Sequence, residues 1–336
     1  MTKYDVYALG NALLDVEFEV TPEVLQGLGI EKGVMTLLDQ DSQDKIVNNL
    51  ASYDTKRSCG GSAANTLIAI AQLGGKAFYS CKVANDEPGK FYTQDLIDCG
   101  VATNLENQTP GAGVTGKCLV FVTPDADRTM NTFLGISGEF SDAELVPEAI
   151  KSSEYTYIEG YLVSGESSKQ AAIKARETAQ AAGNKVAFTL ADFNMVKFFK
   201  SGLLEIIGSG VDFLFANESE ALLMADTEDF DLAIDYLKTL AKGFAVTRGA
   251  KGSIIFDGAK LIKIEPFPVQ AIDTVGAGDM YAGAFLYGLT NGMNYEQAGR
   301  LASLASSQIV TTLGARMKTP EVKTLLFNLG DLKLIQ

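Results

Sequence analysis

Short apolar strands alternate with helices through the second half of the chain. Strands predicted at residues 155–158 and 211–216 are each followed by a helix, at 167–182 and 218–225. The other predicted elements are strands 4–9, 78–83, 186–190, 243–247 and 253–256, and helices 63–73, 89–99, 278–289 and 295–313. Parallel strands need a crossover connection, usually a helix, so this alternation predicts an α/β fold. We expect a three-layer α/β/α core with a mostly parallel central sheet covered on both faces.

Two strands in the middle of the chain depart from that alternation. Residues 116–123 and 128–134 form a predicted hairpin around a Pro-Asp-Ala-Asp turn. With part of residues 12–50, which otherwise show only turn signals, they predict a small β lid formed by parts of 12–50 and 110–137. No repeat, charge block or low-complexity linker divides the 336 residues. A single domain spanning 1–336 with a lid is therefore expected, rather than two independent domains.

Charge and composition exclude several classes of function. The chain has 42 acidic and 28 basic side chains, a net charge of -14, which disfavours nucleic acid and anionic membrane surfaces as partners. A small anion can still bind to local backbone N–H groups. There is no histidine, so Ser-His-Asp and Cys-His catalysis and His-ligated metals are excluded. Any general base must be a carboxylate, Lys, Tyr or Cys.

The cysteines and the N-terminus indicate a cytoplasmic protein. Cys59, Cys81, Cys99 and Cys118 are spaced like no zinc or redox motif and are interpreted as reduced, partly buried thiols. The first residues lack the basic region of a signal peptide, and no apolar run is long enough to span a membrane.

The strongest local signal is a glycine turn that opens a helix. Asp273-Thr-Val-Gly-Ala-Gly-Asp279 precedes the predicted helix 278–289. The backbone N–H groups of Gly276, Ala277 and Gly278 at a helix N-terminus favour an anion. Asp279 in the first turn is suited to take a proton from an alcohol that attacks a phosphoryl group. Taken alone, the segment also fits an ordinary glycine turn with an acidic first-turn residue.

Two further segments carry polar groups next to glycines. Gly60-Gly61 precedes a helix that contains Asn65, and paired glycines there permit close approach of a ligand, or simply a flexible helix start. Asn11 and Asp15 follow the first strand, where open α/β sheets bind ligands and where both residues could grip vicinal hydroxyls. A turn residue and a surface carboxylate are the alternative interpretation of that pair.

The segment Asn217-Glu-Ser-Glu220 has two interpretations. Asn followed three residues later by Glu is the pattern of a helix capping box. The same oxygens could hold Mg²⁺ through water. Near-matches to a P-loop at 111–118 and to a dinucleotide fingerprint at 276–281 are rejected, because a strand follows the first and the second lacks its third glycine.

In this order, the segments resemble the two signatures and the magnesium motif of the PfkB/ribokinase family of carbohydrate and nucleoside kinases. The resemblance covers residues 4–320, and the chain looks most like the members that phosphorylate adenosine. It implies a ribokinase-like fold, ATP and Mg²⁺ as cofactors, and transfer of the γ-phosphoryl group to a primary hydroxyl. The acceptor is expected to be a nucleoside, adenosine foremost, with a sugar as the alternative and a catalytically idle metabolite sensor as a weaker one. A monomer and a homodimer are both open.

The resemblance also assigns roles to residues. The expected catalytic residues are Asp279, Gly276, Ala277, Gly278 and the lid arginine Arg128 of the Asp127-Arg128 pair. The expected acceptor-binding residues are Asn11, Asp15, Gly60, Gly61 and Asn65, joined by the apolar set Met35, Tyr161 and Phe193 that suits a flat base. The expected nucleotide-binding residues are Asn217, Thr247, Gly249, Ala305 and Gly314. The expected metal positions are Asn217 and Glu220 for Mg²⁺ through water, and Asp273 and the Val275 carbonyl for a monovalent cation.

Three positions depart from the family pattern. Where its adenosine-phosphorylating members place an aromatic residue against the base, this chain has Asn194, with Phe193 beside it, and Met35 takes a polar position of the lid. Lys318 stands where ribokinase has a hydroxyl ligand for the cation. Its ammonium either replaces the ion or points to solvent, so monovalent-cation activation is expected to be weak or absent.

Overall fold

Two β-sheets organise the protein. The computed structural model describes residues 3–33, 35–109, 111–124 and 128–332. In chain order the described strands are β1 (Tyr4–Leu9), β2 (Leu13–Glu19), β3 (Met35–Leu37), β4 (Thr55–Gly60), β5 (Ala77–Ser80), β6 (Ala102–Thr103), β7 (Thr115–Val122), β8 (Arg128–Gly135), β9 (Ser153–Glu159), β10 (Lys185–Thr189), β11 (Val211–Asn217), β12 (Ala241–Thr247), β13 (Ser253–Phe256) and β14 (Leu261–Ile264). The α-helices are α1 (Pro22–Gly27), α2 (Gln40–Asn49), α3 (Ser62–Leu73), α4 (Glu87–Asp98), α5 (Pro147–Lys151), α6 (Glu166–Ala181), α7 (Phe193–Ile207), α8 (Glu218–Met224), α9 (Phe230–Leu237), α10 (Ala277–Thr290), α11 (Tyr295–Ile309) and α12 (Thr319–Leu332).

The larger sheet has nine strands in the order β14-β13-β12-β11-β10-β9-β1-β5-β6. All neighbours from β12 to β6 pair in parallel, and only the edge strands β13 and β14 pair antiparallel. Helices cover both faces of this sheet, so it has a hydrophobic core on each side. Successive side chains of β1 alternate between the two cores: Val6 and Ala8 face one, and Tyr7 and Leu9 face the other. The predicted three-layer fold with a mostly parallel sheet is confirmed.

The smaller sheet is the lid, with strand order β3-β8-β7-β2-β4. Its hairpin pairs β7 with β8 antiparallel, as the sequence predicts. Residues 125–127 of the predicted turn lie outside the described residues. Strand β4 also belongs to the lid, although it falls outside the predicted ranges 12–50 and 110–137. The sequence Thr-Lys-Arg-Ser-Cys-Gly carries no apolar alternation, so pattern alone gives no signal for this strand.

The carboxyl ends of the parallel strands position the polar groups. In a parallel sheet these ends meet at one edge, where open α/β proteins bind ligands. Asn11 follows β1, Glu159 ends β9, Asn217 ends β11 and Thr247 ends β12.

Some helices differ from the predictions. Helix α11 ends at Ile309, four residues before the predicted Leu313, and the helices α7, α9 and α12 were not predicted from the sequence.

None of the helices in the described part of the chain combines the length and apolar character that a membrane span requires.

Candidate active site

The glycine turn before α10 places Asp279 in the first helical turn. Gly276 has φ +75° and is packed so closely against residue 315 that a Cβ atom would lie 2.6 Å from the Ala315 carbonyl oxygen. Both oxygens of the Asp279 carboxylate are held. The Ser62 hydroxyl donates to Oδ1 at 2.6 Å and the Asn65 side-chain amide donates to Oδ2 at 3.1 Å. The carboxylate is therefore fixed in orientation before any ligand binds.

The burial of Asp279 changes its proton affinity. Removal from water raises the pKa of this carboxyl from its ordinary value to about 6, and the hydrogen bonds from Ser62 and Asn65 act in the opposite direction. A carboxylate with a pKa close to neutral is a stronger general base than an exposed one. It is still mostly ionised at pH 7.

Of the three predicted anion-binding N–H groups, one is already engaged. The Ala277 N–H donates to the Thr274 carbonyl oxygen at 3.2 Å, which closes the turn before the helix. The prediction for Ala277 as a free donor is therefore wrong in this conformation. Gly278 adjoins open space, with no atom within 4 Å of the position where a Cβ would lie.

Asn11, Asp15 and Glu159 form the opposite wall. The Asn11 N–H donates to Glu159 Oε1 at 2.7 Å, and the Ala63 N–H donates to Oε2 at 2.8 Å. Glu159 thus ties the end of β1 to the start of α3. Burial raises the pKa of both Glu159 and Asp15 to about 7, because the charged form loses its hydration.

The glycine pair before α3 is required by close packing. A Cβ on Gly60 would clash with the Asp15 carboxylate, and a Cβ on Gly61 would clash with the Asn11 carbonyl oxygen. Gly61 also has φ +100°, which L-residues rarely adopt. The predicted acceptor-binding residues Asn11, Asp15, Gly60 and Gly61 therefore lie together, and their spacing leaves no room for larger residues.

A cavity of about 450 Å³ lies between these groups and the lid. It is lined by polar groups on the core side, including Asn11, Asp15, Asn65, Glu159, Glu220 and Asp279. Its apolar wall is lined by Met35, Leu37, Met130 and Leu134 of the lid and by Tyr161 and Met195 of the core. We call this space the acceptor cavity. Four of its described lining residues are acidic and none is basic.

Phe193 does not belong to the acceptor cavity, contrary to the prediction. Asp192 caps α7 by accepting the Asn194 N–H at 2.7 Å, so the helix begins at Phe193 and both Phe193 and Asn194 face outwards. The Phe193 side chain is 42% exposed. The inward-facing residue of this first turn is Met195, which lines the cavity instead.

A second cavity of about 430 Å³ adjoins the first at Thr247, Gly278 and Tyr281, which line both. We call it the nucleotide cavity. Its other described lining residues are Gly249, Ala250, Gly252, Pro266, Phe267, Pro268, Val269, Ala271, Thr274, Ala277, Ser303, Ser306, Ser307 and Val310. The predicted residues Thr247 and Gly249 are in place, and none of the described lining residues is charged.

Ala305 is not part of the nucleotide cavity, although the prediction placed it there. Its side chain is fully buried in the core, on the opposite side of α11 from Ser303, Ser306 and Ser307. The phase of the helix puts the neighbouring serines, rather than Ala305, on the cavity side.

Asp273 joins the lid to the segment before α10. Its carboxylate accepts the N–H groups of Val275 at 3.0 Å and Gly314 at 2.8 Å and forms an ion pair with Arg128 Nε at 2.6 Å. Arg128 also donates to Glu17 Oε2 at 3.2 Å. The predicted lid arginine is therefore held at the glycine turn, on the carboxylate predicted to bind a monovalent cation.

Of the two alternatives for Lys318, the structure agrees with the one in which its ammonium points to solvent. Its side chain is exposed, and the positive group on Asp273 is the Arg128 guanidinium. Gly314, expected in the nucleotide wall, contributes instead through its N–H to Asp273.

Residues 36–322 of the chain match the pfkB family carbohydrate kinase domain. The chain is a PfkB family kinase. A probable sugar kinase from Rhizobium etli CFN 42 is 32% identical, with a TM-score of 0.88 over 98% of this chain and 100% of its own. An adenosine kinase from Sinorhizobium meliloti is 36% identical, with a TM-score of 0.87 over 97% of this chain and 99% of its own.

A curated relative, the 5-dehydro-2-deoxygluconokinase of Clostridium beijerinckii, is 26% identical over 80% of this chain and 83% of its own. PfkB kinases phosphorylate hydroxyl groups of sugars or nucleosides and use ATP with Mg²⁺. The chain is therefore a phosphotransferase with a ribokinase-like fold, and its acceptor is a small sugar or nucleoside.

The Asn217–Glu220 pair of this PfkB kinase forms the capping box that the sequence suggested. The Glu220 N–H donates to Asn217 Oδ1 at 2.8 Å, and the Asn217 N–H donates to Glu220 Oε2 at 3.0 Å. Burial raises the pKa of Glu220 to about 7. Among the described residues no group of three or more His, Cys, Asp or Glu side chains could hold a metal ion. Because Asn217 and Glu220 use their oxygens within the capping box, they fit Mg²⁺ through water rather than as direct ligands.

Sequence reasoning missed three residues of the PfkB site. Glu159, Ser62 and Met195 all line the acceptor cavity. Glu159 had a usable signal, since an acidic residue directly after a buried strand lies at the ligand-binding edge of a parallel sheet. Ser62 and Met195 act through contacts with distant parts of the chain, so local sequence gave no signal for them.

Proposed function

We propose that this PfkB kinase transfers the γ-phosphoryl group of ATP to the 5′-hydroxyl of a nucleoside, with adenosine the best single candidate. The observation that supports this most is the apolar wall of the acceptor cavity, where three methionines, Met35, Met130 and Met195, stand with Tyr161. Thioether and aromatic groups pack well on a flat base. A bare polar sugar would leave that wall without a partner.

The polar wall suits the ribose. Asn11 and Asp15 lie at the end of β1, and the close packing of Gly60 and Gly61 fixes their distance from α3. A carboxylate and an amide in this arrangement can hold a vicinal diol. A ribose held in this way would direct its primary hydroxyl towards Asp279, next to Gly278, which lines both cavities.

In the proposed reaction Asp279 accepts the proton of the acceptor hydroxyl as its oxygen attacks phosphorus. The N–H groups at the start of α10, with Gly278 adjoining both cavities, stabilise the charge that develops on the phosphoryl oxygens. Arg128 exchanges its contact with Asp273 for the transferred group. Asn217 and Glu220 would hold Mg²⁺ through water, and the ion would supply positive charge to the phosphates. The lid excludes water, which would otherwise compete as acceptor.

The charge of the acceptor cavity bears on the choice between nucleosides and sugars. Its lining includes Asp15, Glu159, Glu220 and Asp279 and, among the described residues, no Lys or Arg. An anionic acceptor such as a sugar acid would be repelled by these carboxylates. A neutral nucleoside would not, and its anionic product would be released more readily.

A neutral sugar remains the second candidate. The likeness to a probable sugar kinase over 98% of this chain favours it, and the Asn11–Asp15 pair does not distinguish ribose in a nucleoside from a free sugar. The two candidates differ in their use of the apolar wall.

The test is a comparison of kcat/KM for adenosine, inosine, guanosine, cytidine, ribose, fructose and gluconate with saturating Mg-ATP. We expect adenosine to be best, with other nucleosides within the modest range that an apolar pocket discriminates, about 1–3 kcal/mol. A free sugar that exceeds every nucleoside by about tenfold would replace the nucleoside assignment.

Met130→Asn sharpens that test. Met130 lines the apolar wall, and in the proposed pose only the base meets it, so a polar group there should lower kcat/KM for adenosine more than for ribose. Equal losses for both acceptors would show that this wall does not contact a base.

A further inference from the structure

Two cysteines from separate parts of the chain meet at one buried guanidinium. Arg316 Nη2 donates to Cys59 Sγ at 2.9 Å, and Nη1 lies 3.9 Å from Cys99 Sγ. Cys59 belongs to β4 of the lid, whereas Cys99 caps the C-terminus of α4. Neither cysteine is among the described residues that line the two cavities.

The two thiols differ in reactivity. The neighbouring Cys59 thiol and the Arg316 guanidinium lower the pKa of Cys99, although burial and the carboxylates of Asp95 and Asp98 oppose the shift. The neighbouring Cys99 and burial raise the pKa of Cys59. Cys99 is partly accessible and Cys59 is buried. An accessible thiolate beside a second thiol is the arrangement of an oxidant-sensitive cysteine with a resolving partner.

A chain of contacts leads from this thiol pair to the catalytic carboxylate. Arg316 Nε donates to Asn65 Oδ1 at 3.2 Å, and the Asn65 amide donates to Asp279 Oδ2 at 3.1 Å. Cys59 also directly precedes the glycine pair of residues 60–61 that closes on Asn11. Any change at the two sulfurs therefore reaches the acceptor cavity through Arg316 and through the backbone.

We propose that Cys99 and Cys59 are a peroxide-sensitive thiol pair whose disulfide lowers the turnover of this kinase. The Cys99 thiolate attacks one oxygen of the peroxide, an S–O bond forms, the O–O bond breaks, and the released hydroxide takes a proton to become water. The Cys59 sulfur then attacks the Cys99 sulfenic acid. An S–S bond forms, the S–O bond breaks, and the hydroxyl leaves with the Cys59 proton as a second water. The two sulfurs are oxidised and the peroxide is reduced.

The disulfide removes the negative charge of the Cys99 sulfur, which lies 3.9 Å from Arg316 Nη1. Its sulfurs must also approach to about 2 Å, which draws β4 towards the end of α4. Both changes shift Arg316, and with it Asn65, which holds one oxygen of Asp279. Loss of that orientation lowers turnover, because a general base acts only when correctly placed.

The experiment treats the full-length protein with stoichiometric hydrogen peroxide and follows two readouts. Peptide mapping under non-reducing conditions should show a Cys59–Cys99 cross-link that dithiothreitol removes. With the best acceptor of the panel, kcat should fall at least about fivefold and return after reduction. The mapping is independent of which acceptor is used, so a failure of the adenosine assignment leaves this result readable.

Matched variants separate this pair from the other thiols. Cys99→Ser should keep its activity in peroxide, whereas Cys81→Ser, which also loses one thiol, should remain as sensitive as the wild-type chain because Cys81 is fully buried elsewhere. Absence of the cross-link, a cross-link without loss of activity, or equal inactivation of Cys99→Ser would each overturn the proposal. Equal inactivation would instead implicate Cys118 in the acceptor cavity.

Discussion

The two cavities that meet at the start of α10 are lined by residues of different chemical types. The acceptor cavity has four acidic lining residues, each with a pKa raised by burial to about 6 or 7. The nucleotide cavity is lined by small, hydroxyl and proline residues, and none of its described lining residues is charged. Gathering four carboxylates in one partly buried space is unfavourable for folding. The contrast therefore indicates that titratable chemistry is concentrated on the acceptor side, whereas the nucleotide side relies on shape and backbone groups.

The largest effect is expected at the base. Asp279→Asn should lower kcat by about two to four orders of magnitude while acceptor binding changes only a few fold, because the amide keeps the size of the side chain and one acceptor oxygen but cannot take the proton. The control is Asp231→Asn, an exposed first-turn carboxylate of α9. Steady-state kinetics with titration of acceptor binding checks both. A near-normal kcat would remove Asp279 from the mechanism.

The second-largest effect is expected at the lid arginine, which pairs with Asp273 before α10. Arg128→Ala should lower kcat about a hundredfold, more than it weakens acceptor binding, because the charge it meets grows in the transition state. Arg57→Ala removes another lid arginine, whose ion pair with Glu87 is exposed, and should change kcat little. A change confined to KM would show that Arg128 only closes the lid.

A smaller effect is expected from the glycine that shapes the acceptor side. Gly61→Ala introduces both a strained φ and a collision with the Asn11 carbonyl oxygen, so kcat/KM for the acceptor should fall about tenfold or more. Gly74→Ala is the matched control, since Gly74 has a similar φ of +104° with no atom within 4 Å of the added Cβ.

Gly74→Ala should cost about 1–3 kcal/mol of unfolding free energy through strain alone and leave kcat/KM unchanged. Equal kinetic losses in the two variants would mean that close packing at Gly61 has no role in the acceptor site.

The remaining prediction concerns stability rather than catalysis, because the free energy of unfolding should depend on pH. The pKa of Asp15 is raised from 3.8 to about 7, so the folded protein binds its proton more tightly than the unfolded chain. This contribution to stability is present below about pH 4 and is lost as the pH rises through about 7. Asp15→Asn, which is always neutral, should lack this loss.

The difference in unfolding free energy between Asp15→Asn and the wild-type chain should therefore grow, in favour of the variant, by up to about 1.4 kcal/mol per pH unit between pH 4 and 7. Urea unfolding at several pH values measures it, with Asp231→Asn for comparison. A constant difference would show that Asp15 titrates normally.

Local sequence was sufficient for the parts of the fold and site that depend on neighbours in the chain. The glycine turns at residues 60–61 and 276–278 are visible because glycine and a following helix are adjacent. Local sequence did not show which way each side chain faces. Phe193 was assigned wrongly because Asp192 caps the helix and turns it outwards, and Ala305 because the phase of α11 presents serines to the cavity.

Contacts between distant parts of the chain could not be predicted from the sequence, for a different reason. Glu159 bridges Asn11 and Ala63, which are 148 and 96 residues away. Arg316 joins Cys59 to Asn65 across more than 250 positions. Such contacts depend on how strands and helices pack, which no local pattern encodes.

The most direct test of the two-cavity account is a crystal structure of the chain with adenosine and a non-hydrolysable ATP analogue. We predict the adenosine base against the apolar wall of Met35, Met130 and Met195, and the 5′-hydroxyl within hydrogen-bonding distance of the Asp279 carboxylate. The ATP analogue should occupy the nucleotide cavity with its phosphates at the start of α10. Adenosine in the nucleotide cavity, or its 5′-hydroxyl directed away from Asp279, would contradict the account.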